Sequence, residues 1–277
     1  MEQLQQESAS KRDRPDPAFK YLTRQVADAI GLEAIETEFP QTLRADLILA
    51  VPENLGLENT LFDFCRSFNV LEFKGQEDQL DEAGFVKNEV RVNLLFLQNP
   101  AATFENTLNI LVSSRLPRQF FNYMKLRKCR FRKETGRPWQ WRCRVGLQEV
   151  VVIVCRELPI EPRYYEWLVF SPAGSLKWQN FVRVLAREGN LPLLETVQRL
   201  SVREYRLMTP ELKKIISEYQ PEKRKQYLKE WAKAFGDMLP ELEQETPEEL
   251  TQAFSSLSAE QRQRLLKLLI EQETRLE

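Results

Sequence analysis

Two short apolar runs constrain the fold of this chain more than any other feature. Residues 43–51 (LRADLILAV) predict a β-strand, because the apolar run ends at Pro52, which cannot continue a ladder of backbone hydrogen bonds. Residues 67–75 (SFNVLEFKG) predict a second strand that Gly75 closes. We therefore expect the core to be built on a sheet in which these two strands are neighbours.

Each of the two runs carries charge: Asp46 lies on the first, and Glu72 and Lys74 lie on the second. Side chains alternate along a strand, so Glu72 and Lys74 share one face. Charged groups on a buried strand are costly unless they are paired, hydrated or bound to a metal. Charges at strand ends are also often solvated, and Glu-x-Lys recurs at residues 211–213 on a predicted surface helix. The residues alone leave a catalytic and a solvated interpretation open.

The order of an acid followed by acid-x-lysine resembles the PD-(D/E)XK nuclease superfamily. Its core carries a carboxylate on one strand and (Asp/Glu)-x-Lys on the next. Residues 16–20 (DPAFK) resemble the D-x-x-F-K opening of one of its families, the recombination-promoting nuclease/putative transposase family. The resemblance covers about residues 15–200. Members of the family often have Gln where this chain has Lys74, and the His that often precedes the opening Asp is Pro15 here.

The resemblance implies a fold and an activity. The fold is an α/β, restriction-endonuclease-like core with a mixed central sheet flanked by helices. The activity is Mg²⁺-dependent DNA endonuclease cleavage, with Mn²⁺ as a substitute metal and a link to recombination or mobile DNA. In this scheme Asp46 and Glu72 hold the metal, and the Phe73 main-chain carbonyl is a further ligand.

The resemblance also implies roles for residues around those ligands. Lys74 would orient or deprotonate the attacking water. Asp16 would add a carboxylate to the site, and Gln76 would fix the water or a phosphate. These expectations agree with the chemistry of the residues, since hard cations such as Mg²⁺ prefer oxygen ligands.

The absence of histidine narrows the chemistry that is available to the chain. It excludes Ser-His-Asp and Cys-His catalysis, zinc proteases of the H-E-x-x-H type and nucleases that use a histidine base. Hydrolysis would therefore have to rely on carboxylates, lysine and a hard cation.

The composition predicts a soluble, cytoplasmic protein without a membrane partner. There is no run of about 18 apolar residues, and the first fifteen residues are polar and charged rather than a signal peptide. The four cysteines lack C-x-x-C spacing, so we expect neither a zinc site nor a disulfide framework. The thiols should be reduced and mostly buried; they are Cys65, Cys129, Cys143 and Cys155.

Hydrophobic periodicity predicts the remaining elements. Helices are expected over residues 15–30, 82–98, 175–189 and 193–207, and further strands over 33–40, 107–112 and 149–155. The order of helix, three strands, helix and strand up to residue 112 is also the core order of the superfamily. The predicted buried face of the 82–98 helix consists of five apolar side chains: Phe85, Val86, Val90, Leu94 and Leu97.

Residues 115–144 form a basic region with eleven Lys and Arg residues and a single acid, Glu134. Residues 128–133 and 139–145 predict a hairpin around the turn at 135–138. One face is expected to be aromatic core, and the other carries Lys128, Arg130, Arg132, Arg142 and Arg144. Such a strip is suited to a nucleic-acid backbone. The alternative is that these arginines pair with acids elsewhere in the chain.

The expected domain organisation has three parts. Residues 1–14 are predicted to be disordered, 15–208 to form the nuclease-like domain, and 209–277 to form a helical C-terminal extension with helix starts at 209, 246 and 258. Residues 241–260 contain six acids and no base, which is typical of an interaction arm, and this arm could join copies of the chain into a homo-oligomer. Two alternatives to the nuclease remain: a non-cleaving nucleic-acid-binding protein with a nuclease-like fold, and a protein-interaction module that uses the C-terminal helices.

Overall fold

The structure, a computed structural model, describes residues 15–35, 47–223 and 226. Four sequence expectations concern residues outside these ranges. They are the disordered segment 1–14, the metal ligand Asp46, the helices predicted from residues 246 and 258, and the acidic arm at 241–260.

Seven β-strands of the described chain form one mixed sheet in the order β1-β2-β3-β4-β7-β6-β5. The strands β3, β4 and β7 are parallel, and the strands on either side of them pair antiparallel. Their bounds are β1 Glu33–Ala34, β2 Leu47–Ala50, β3 Phe68–Lys74, β4 Thr107–Ser113, β5 Arg132–Glu134, β6 Arg137–Val145 and β7 Gln148–Val154. The predicted α/β class with a mixed central sheet is confirmed.

Seven α-helices lie in the described ranges. They are α1 Pro15–Ala29, α2 Glu82–Gln98, α3 Arg118–Leu126, α4 Tyr165–Leu168, α5 Leu176–Glu188, α6 Leu191–Leu200 and α7 Val202–Tyr219. Helix α2 makes the crossover between the parallel strands β3 and β4. No described helix combines the length and the apolar composition that crossing a bilayer requires.

Helix α2 begins where its sequence predicts, but it buries a different face. The Asp81 side chain caps the helix by accepting a hydrogen bond of 2.8 Å from the Gly84 amide. The buried side chains are Phe85, Asn88, Arg91, Val92 and Leu95. The predicted face is wrong for Val86, Val90 and Leu97, which are exposed, whereas Leu94 is half-buried against the core. Two polar residues therefore point from this helix into the sheet.

The opposite face of the sheet is closed by an aromatic cluster. The Phe19 ring of α1 stacks on Phe73 of β3 at 4.4 Å and lies 5.5 Å from Phe170 and 5.9 Å from Trp167. The Trp167 indole donates a hydrogen bond of 3.0 Å to the Thr23 hydroxyl, so α4 is fixed to α1. Burial of these large rings fixes the first helix on β3.

The basic region agrees with its prediction only in part. Residues 118–126 form α3, a helix that was not predicted, and its last turn closes when the Cys129 amide donates to the Met124 carbonyl at 2.9 Å. Lys128 has φ of 63°, a left-handed conformation that commonly ends a helix. The predicted hairpin is present, since β5 and β6 pair antiparallel around the turn, but its first strand is shorter than predicted because β5 starts only at Arg132.

The chain divides into two compact units between Phe181 and Val182, inside α5. The sheet belongs to the first unit. The predicted single helix at 193–207 is wrong, because α6 and α7 are separated at Ser201.

The helix start expected at residue 209 is also wrong. Helix α7 continues through Pro210, and the hydroxyl of Thr209 donates back to the Tyr205 carbonyl at 3.3 Å instead of capping a new helix. The domain boundary expected after Met208 therefore falls within a helix.

We expect Phe19→Ala to lower the free energy of unfolding by about 3–5 kcal/mol, because the substitution leaves a cavity among large buried rings. Tyr21→Ala, on the same helix, is the matched control. Tyr21 is 63% exposed, and its loss should change stability by less than about 0.5 kcal/mol. Urea unfolding followed by circular dichroism measures both. Equal effects of the two substitutions would contradict the assigned packing of α1.

Candidate functional site

The Glu72 and Lys74 side chains meet at the carboxyl end of β3. They lie two residues apart on the strand, and the Lys74 ammonium is 3.0 Å from Glu72 Oε1. Lys74 is aligned with Ser113, the last residue of the parallel strand β4. Both side chains lie on the face that α2 covers, because a Cβ atom at Gly84 of α2 would be only 3.3 Å from Lys74 Cε. The strand alternation expected from the sequence is confirmed.

A second cation, from α2, contacts the same carboxylate. The Arg91 guanidinium donates to Glu72 Oε2 in an ion pair. Glu72 is 6% exposed and Arg91 is 7% exposed, so solvent screens their attraction very little. Each oxygen of the Glu72 carboxylate is therefore bound to a different cation.

Arg91 also belongs to a network of hydrogen bonds between buried polar side chains. Arg91 Nη1 lies 3.5 Å from Asn88 Oδ1 one turn earlier on α2. The Asn88 amide donates to Asn109 Oδ1 of β4 at 2.8 Å, and Asn109 donates to Gln148 of β7 at 3.5 Å. Sequence reasoning missed Arg91 and Asn88. Both residues lie at helical spacing from the apolar residues Phe85, Val92 and Leu95, and this periodicity could have placed them on the buried face.

The first turn of α1 lies beside the same strand end. Asp16 is half-buried in that turn. Its neighbour Pro15 packs so closely on Gly75 that a Cβ atom at Gly75 would be 3.0 Å from Pro15 Cγ. The fold therefore brings the helix turn that carries Asp16 to the strand end that carries Lys74.

The Phe73 carbonyl and the Gln76 side chain complete the group of predicted site residues. The Lys74 carbonyl accepts from the Ser114 amide at 3.0 Å, on the β4 side. Carbonyls alternate between the two edges of a strand, so the Phe73 carbonyl points to the β2 side. Gln76 Oε1 accepts from the Ala173 amide at 2.8 Å, which fixes this side chain and leaves its NH₂ group available to donate.

A cavity of about 410 Å³ opens at this end of the sheet. It lies between the segments that follow β3 and β4, with Gln76, Glu77 and Asp78 on one side and Ser113, Arg115 and Arg118 on the other. Ligands of open α/β sheets commonly bind outside the carboxyl ends of parallel strands. The cavity therefore offers a place for a ligand close to Lys74.

The donors at this strand end fit a hard divalent cation in chemical type, since they are a carboxylate and a main-chain carbonyl. Within residues 15–35, 47–223 and 226, no three or more His, Cys, Asp and Glu side chains form a group that could hold a metal. Glu72 and Phe73 are two of the three ligands that the resemblance implies, and the third, Asp46, is outside those ranges.

The predicted phosphate-binding residues fall into two groups. Four of them are exposed and border a cavity of about 480 Å³; we call these the basic surface: Lys128, Arg130, Arg132 and Arg144. No carboxylate of the described residues lies within 4 Å of their charged groups. The basic surface is therefore open to an anion.

Arg142 belongs to the other group. Its guanidinium binds Glu134 at 2.9 Å and also binds Glu149, which in turn binds Arg66. Arg142 therefore pairs with acids of the chain, as the alternative interpretation of the basic region expects. The aromatic face of this region packs as core, with Phe131 and Trp141 at 5.1 and 4.9 Å from Phe121 of α3.

The fold does not bring the basic surface to Glu72 and Lys74. Arg144 is aligned with Glu149 at the amino end of β7, whereas Lys74 is aligned through Ser113 with Val154 at its carboxyl end. The spacing between strands and the rise along them put the two Cα atoms, Lys74 and Arg144, roughly 20 Å apart.

The four cysteines are free thiols; Cys143 and Cys155 are buried, whereas Cys65 and Cys129 are half-buried. Burial, reinforced by the neighbouring Cys129, raises the pKa of the Cys143 thiol to about 11, and burial also raises the pKa of the Cys155 thiol. These two thiols are therefore protonated and weakly reactive at neutral pH.

A scan against protein-family models finds no match to this chain, and searches of curated proteins and of solved structures find none either.

The two groups of arginines should respond differently to substitution. In Arg130→Ala with Arg132→Ala, the salt dependence of DNA binding should flatten by about two units of slope, one for each lost phosphate contact. Stability should stay the same, because both side chains are exposed. Arg142→Ala should instead lower the free energy of unfolding by roughly 1 kcal/mol.

Binding to two unrelated DNA duplexes over a range of salt concentrations, together with urea unfolding, measures these effects. An unchanged salt slope in the folded double variant would remove the basic surface as a phosphate-binding site.

Proposed function

We propose that this chain is a DNA endonuclease that depends on Mg²⁺ and accepts Mn²⁺ in its place. The observation that supports it most is the contact between Glu72 and Lys74 at the carboxyl end of β3. This pair has the acid-x-lysine spacing of the PD-(D/E)XK nucleases, and its carboxylate is buried. A buried charge is costly to keep, and catalytic function is a common reason for keeping it.

The arrangement of the elements supports the same proposal. The order α1, β1, β2, β3, α2, β4 agrees with the helix, three strands, helix, strand order that the resemblance implies. The four strands are neighbours in the sheet, and α2 crosses between the parallel pair. We include a restriction-endonuclease-like core in the proposal on this basis.

Three oxygen donors are assigned to the metal: the carboxylates of Asp46 and Glu72 and the carbonyl of Phe73. When bound, the divalent cation would supply a Lewis acid that stabilises the charge developing on the phosphate. Asp16 adds a further negative charge in the helix turn beside the strand end.

Lys74 orients the attacking water or takes its proton. Gly84 lets the lysine chain lie against α2, since a side chain at that position would press on Lys74 Cε. Gln76 is held by the Ala173 amide, so its NH₂ group is oriented to donate to the water or to a phosphate oxygen.

The register separates the catalytic pair from the basic surface in two ways. The Cα atoms of Lys74 and Arg144 are roughly 20 Å apart, and Arg144 projects from the face of the sheet opposite to Glu72 and Lys74, because it is aligned with Asn69 of β3 through β7 and β4. We therefore assign the basic surface to holding DNA away from the cleavage site, in keeping with a role in recombination or in mobile DNA.

One observation favours a second candidate, a nucleic-acid-binding protein that does not cleave. Both oxygens of Glu72 are bound to cations, Lys74 and Arg91, and the basic surface has no need of a catalytic centre to bind a nucleic-acid backbone.

Nicking of supercoiled plasmid with Mg²⁺, with Mn²⁺ and with EDTA separates the two candidates. Wild-type nicking should require the metal. Glu72→Gln, Lys74→Met and Asp46→Asn should each lower the rate by about a hundredfold or more, because each removes a group that acts on the water or the metal. The chain provides a matched control: Glu211→Gln with Lys213→Met removes the same Glu-x-Lys spacing from α7 and should leave the rate unchanged.

Metal-independent nicking, or a normal rate in folded Glu72→Gln, would rule out the assigned site. Tight DNA binding by a wild type that cuts no form of DNA with either metal would establish the non-cleaving candidate.

A further inference from the structure

We propose that Arg91 is a positioning residue that competes with a divalent cation for the Glu72 carboxylate and so sets the metal affinity of the site. This inference deepens the proposed function and rests on its metal site. It starts from the ion pair between Arg91 and Glu72, both of which are more than nine-tenths buried.

Stability alone does not account for the ion pair between Arg91 and Glu72. Burying a carboxylate and a guanidinium costs desolvation that their attraction often fails to recover, and a well-packed apolar pair is frequently as stable. Helix α2 is already fixed to the sheet by Phe85, Val92 and Leu95, which are all buried. A charged pair in the middle of this contact therefore points to a function.

The geometry of the cluster supports the competition. Lys74, which belongs to the acid-x-lysine motif, lies beside Glu72 Oε1, and Arg91 donates to the other oxygen, Oε2. A divalent cation that binds Glu72 must therefore compete with the guanidinium for this oxygen and is repelled by its positive charge. Arg91 lies on α2, a different element from the strand that carries Glu72.

The network around Arg91 provides it with a second acceptor. Asn88 Oδ1 lies 3.5 Å from the same Nη1 atom that donates to Glu72, and Asn88 is itself fixed by Asn109. When a metal draws the Glu72 carboxylate away, the guanidinium can strengthen this second hydrogen bond. The arrangement lets Arg91 hold Glu72 in place in the absence of metal and release it when metal binds.

The size of the effect follows from Coulomb's law. Removing a unit charge a few ångströms from a divalent cation changes the binding constant by about tenfold or more, even at an effective dielectric constant of about 20. Arg91→Gln should therefore bind metal more tightly than the wild type. Arg91→Lys keeps the charge and should remain within about twofold of the wild type.

Titration of the full chain with Mn²⁺, following free Mn²⁺ by electron paramagnetic resonance, measures this affinity without DNA and without catalysis. We expect Arg91→Gln to lower the dissociation constant about tenfold or more. Glu72→Gln, alone or combined with Arg91→Gln, should abolish the binding. Arg24→Gln, which removes an exposed arginine from α1, is the charge-matched control and should leave the affinity unchanged.

An unchanged or weaker affinity in folded Arg91→Gln would overturn the inference and leave Arg91 a structural role. If Arg91→Gln does not fold, Arg91→Met, whose chain fills a similar volume without charge, takes its place under the same criterion. If neither neutral variant folds, Arg91 is required for the fold and the inference is overturned.

The outcome also separates this inference from the proposed function. Mn²⁺ binding that depends on Glu72 and tightens in Arg91→Gln, in a protein that cuts no DNA, would sustain the role of Arg91 and refute the endonuclease. Absence of Glu72-dependent binding in the wild type and in every Arg91 variant would refute both.

Discussion

A carboxylate buried beneath a helix governs the arrangement of this protein. Glu72 lies near the carboxyl end of strand β3, where it contacts Lys74 on its own strand and Arg91 on α2. The cost of removing this charge from water is offset only if the helix, the strand and the polar network keep their relative positions. The crossover helix is therefore fixed by an electrostatic requirement as well as by its apolar contacts, and the candidate chemistry lies where that requirement is met.

Elements with a strong local signal could be predicted from the sequence. Helix α2 has the predicted bounds because Asp81 caps it, and β4 and β7 are apolar runs that only a buried strand explains. Helix α3 was missed because its Arg- and Lys-rich sequence lies next to alternating residues that suggested a hairpin. Thr209 and Pro210 carry a helix-start signal, but the buried side chains of Leu212 and Ile216 keep α7 continuous.

The candidate site was predictable only where its residues lie on one strand. Glu72 and Lys74 share a face because alternation requires it, whereas the contact with Arg91 depends on how α2 rotates about its axis. A helix that buries Val86, Val90 and Leu97 would expose Arg91, whereas the structure exposes these three side chains and buries Arg91. The sequence of α2 has apolar residues on both faces, so it does not decide between the two rotations. Rotation of a helix on a sheet is decided by tertiary packing, which no local pattern contains.

The contact between the first helix and α4 has a consequence for synthesis of the chain. Thr23 and Trp167 are separated by 144 residues, and the rings that cover Phe19 include Trp167 and Phe170. At 5–20 residues per second, the ribosome needs roughly 7–30 s to deliver these partners after Phe19 has been made. During that interval the apolar side of the first helix lacks much of the surface that it will finally contact, so this side stays exposed until the α4 segment has been made.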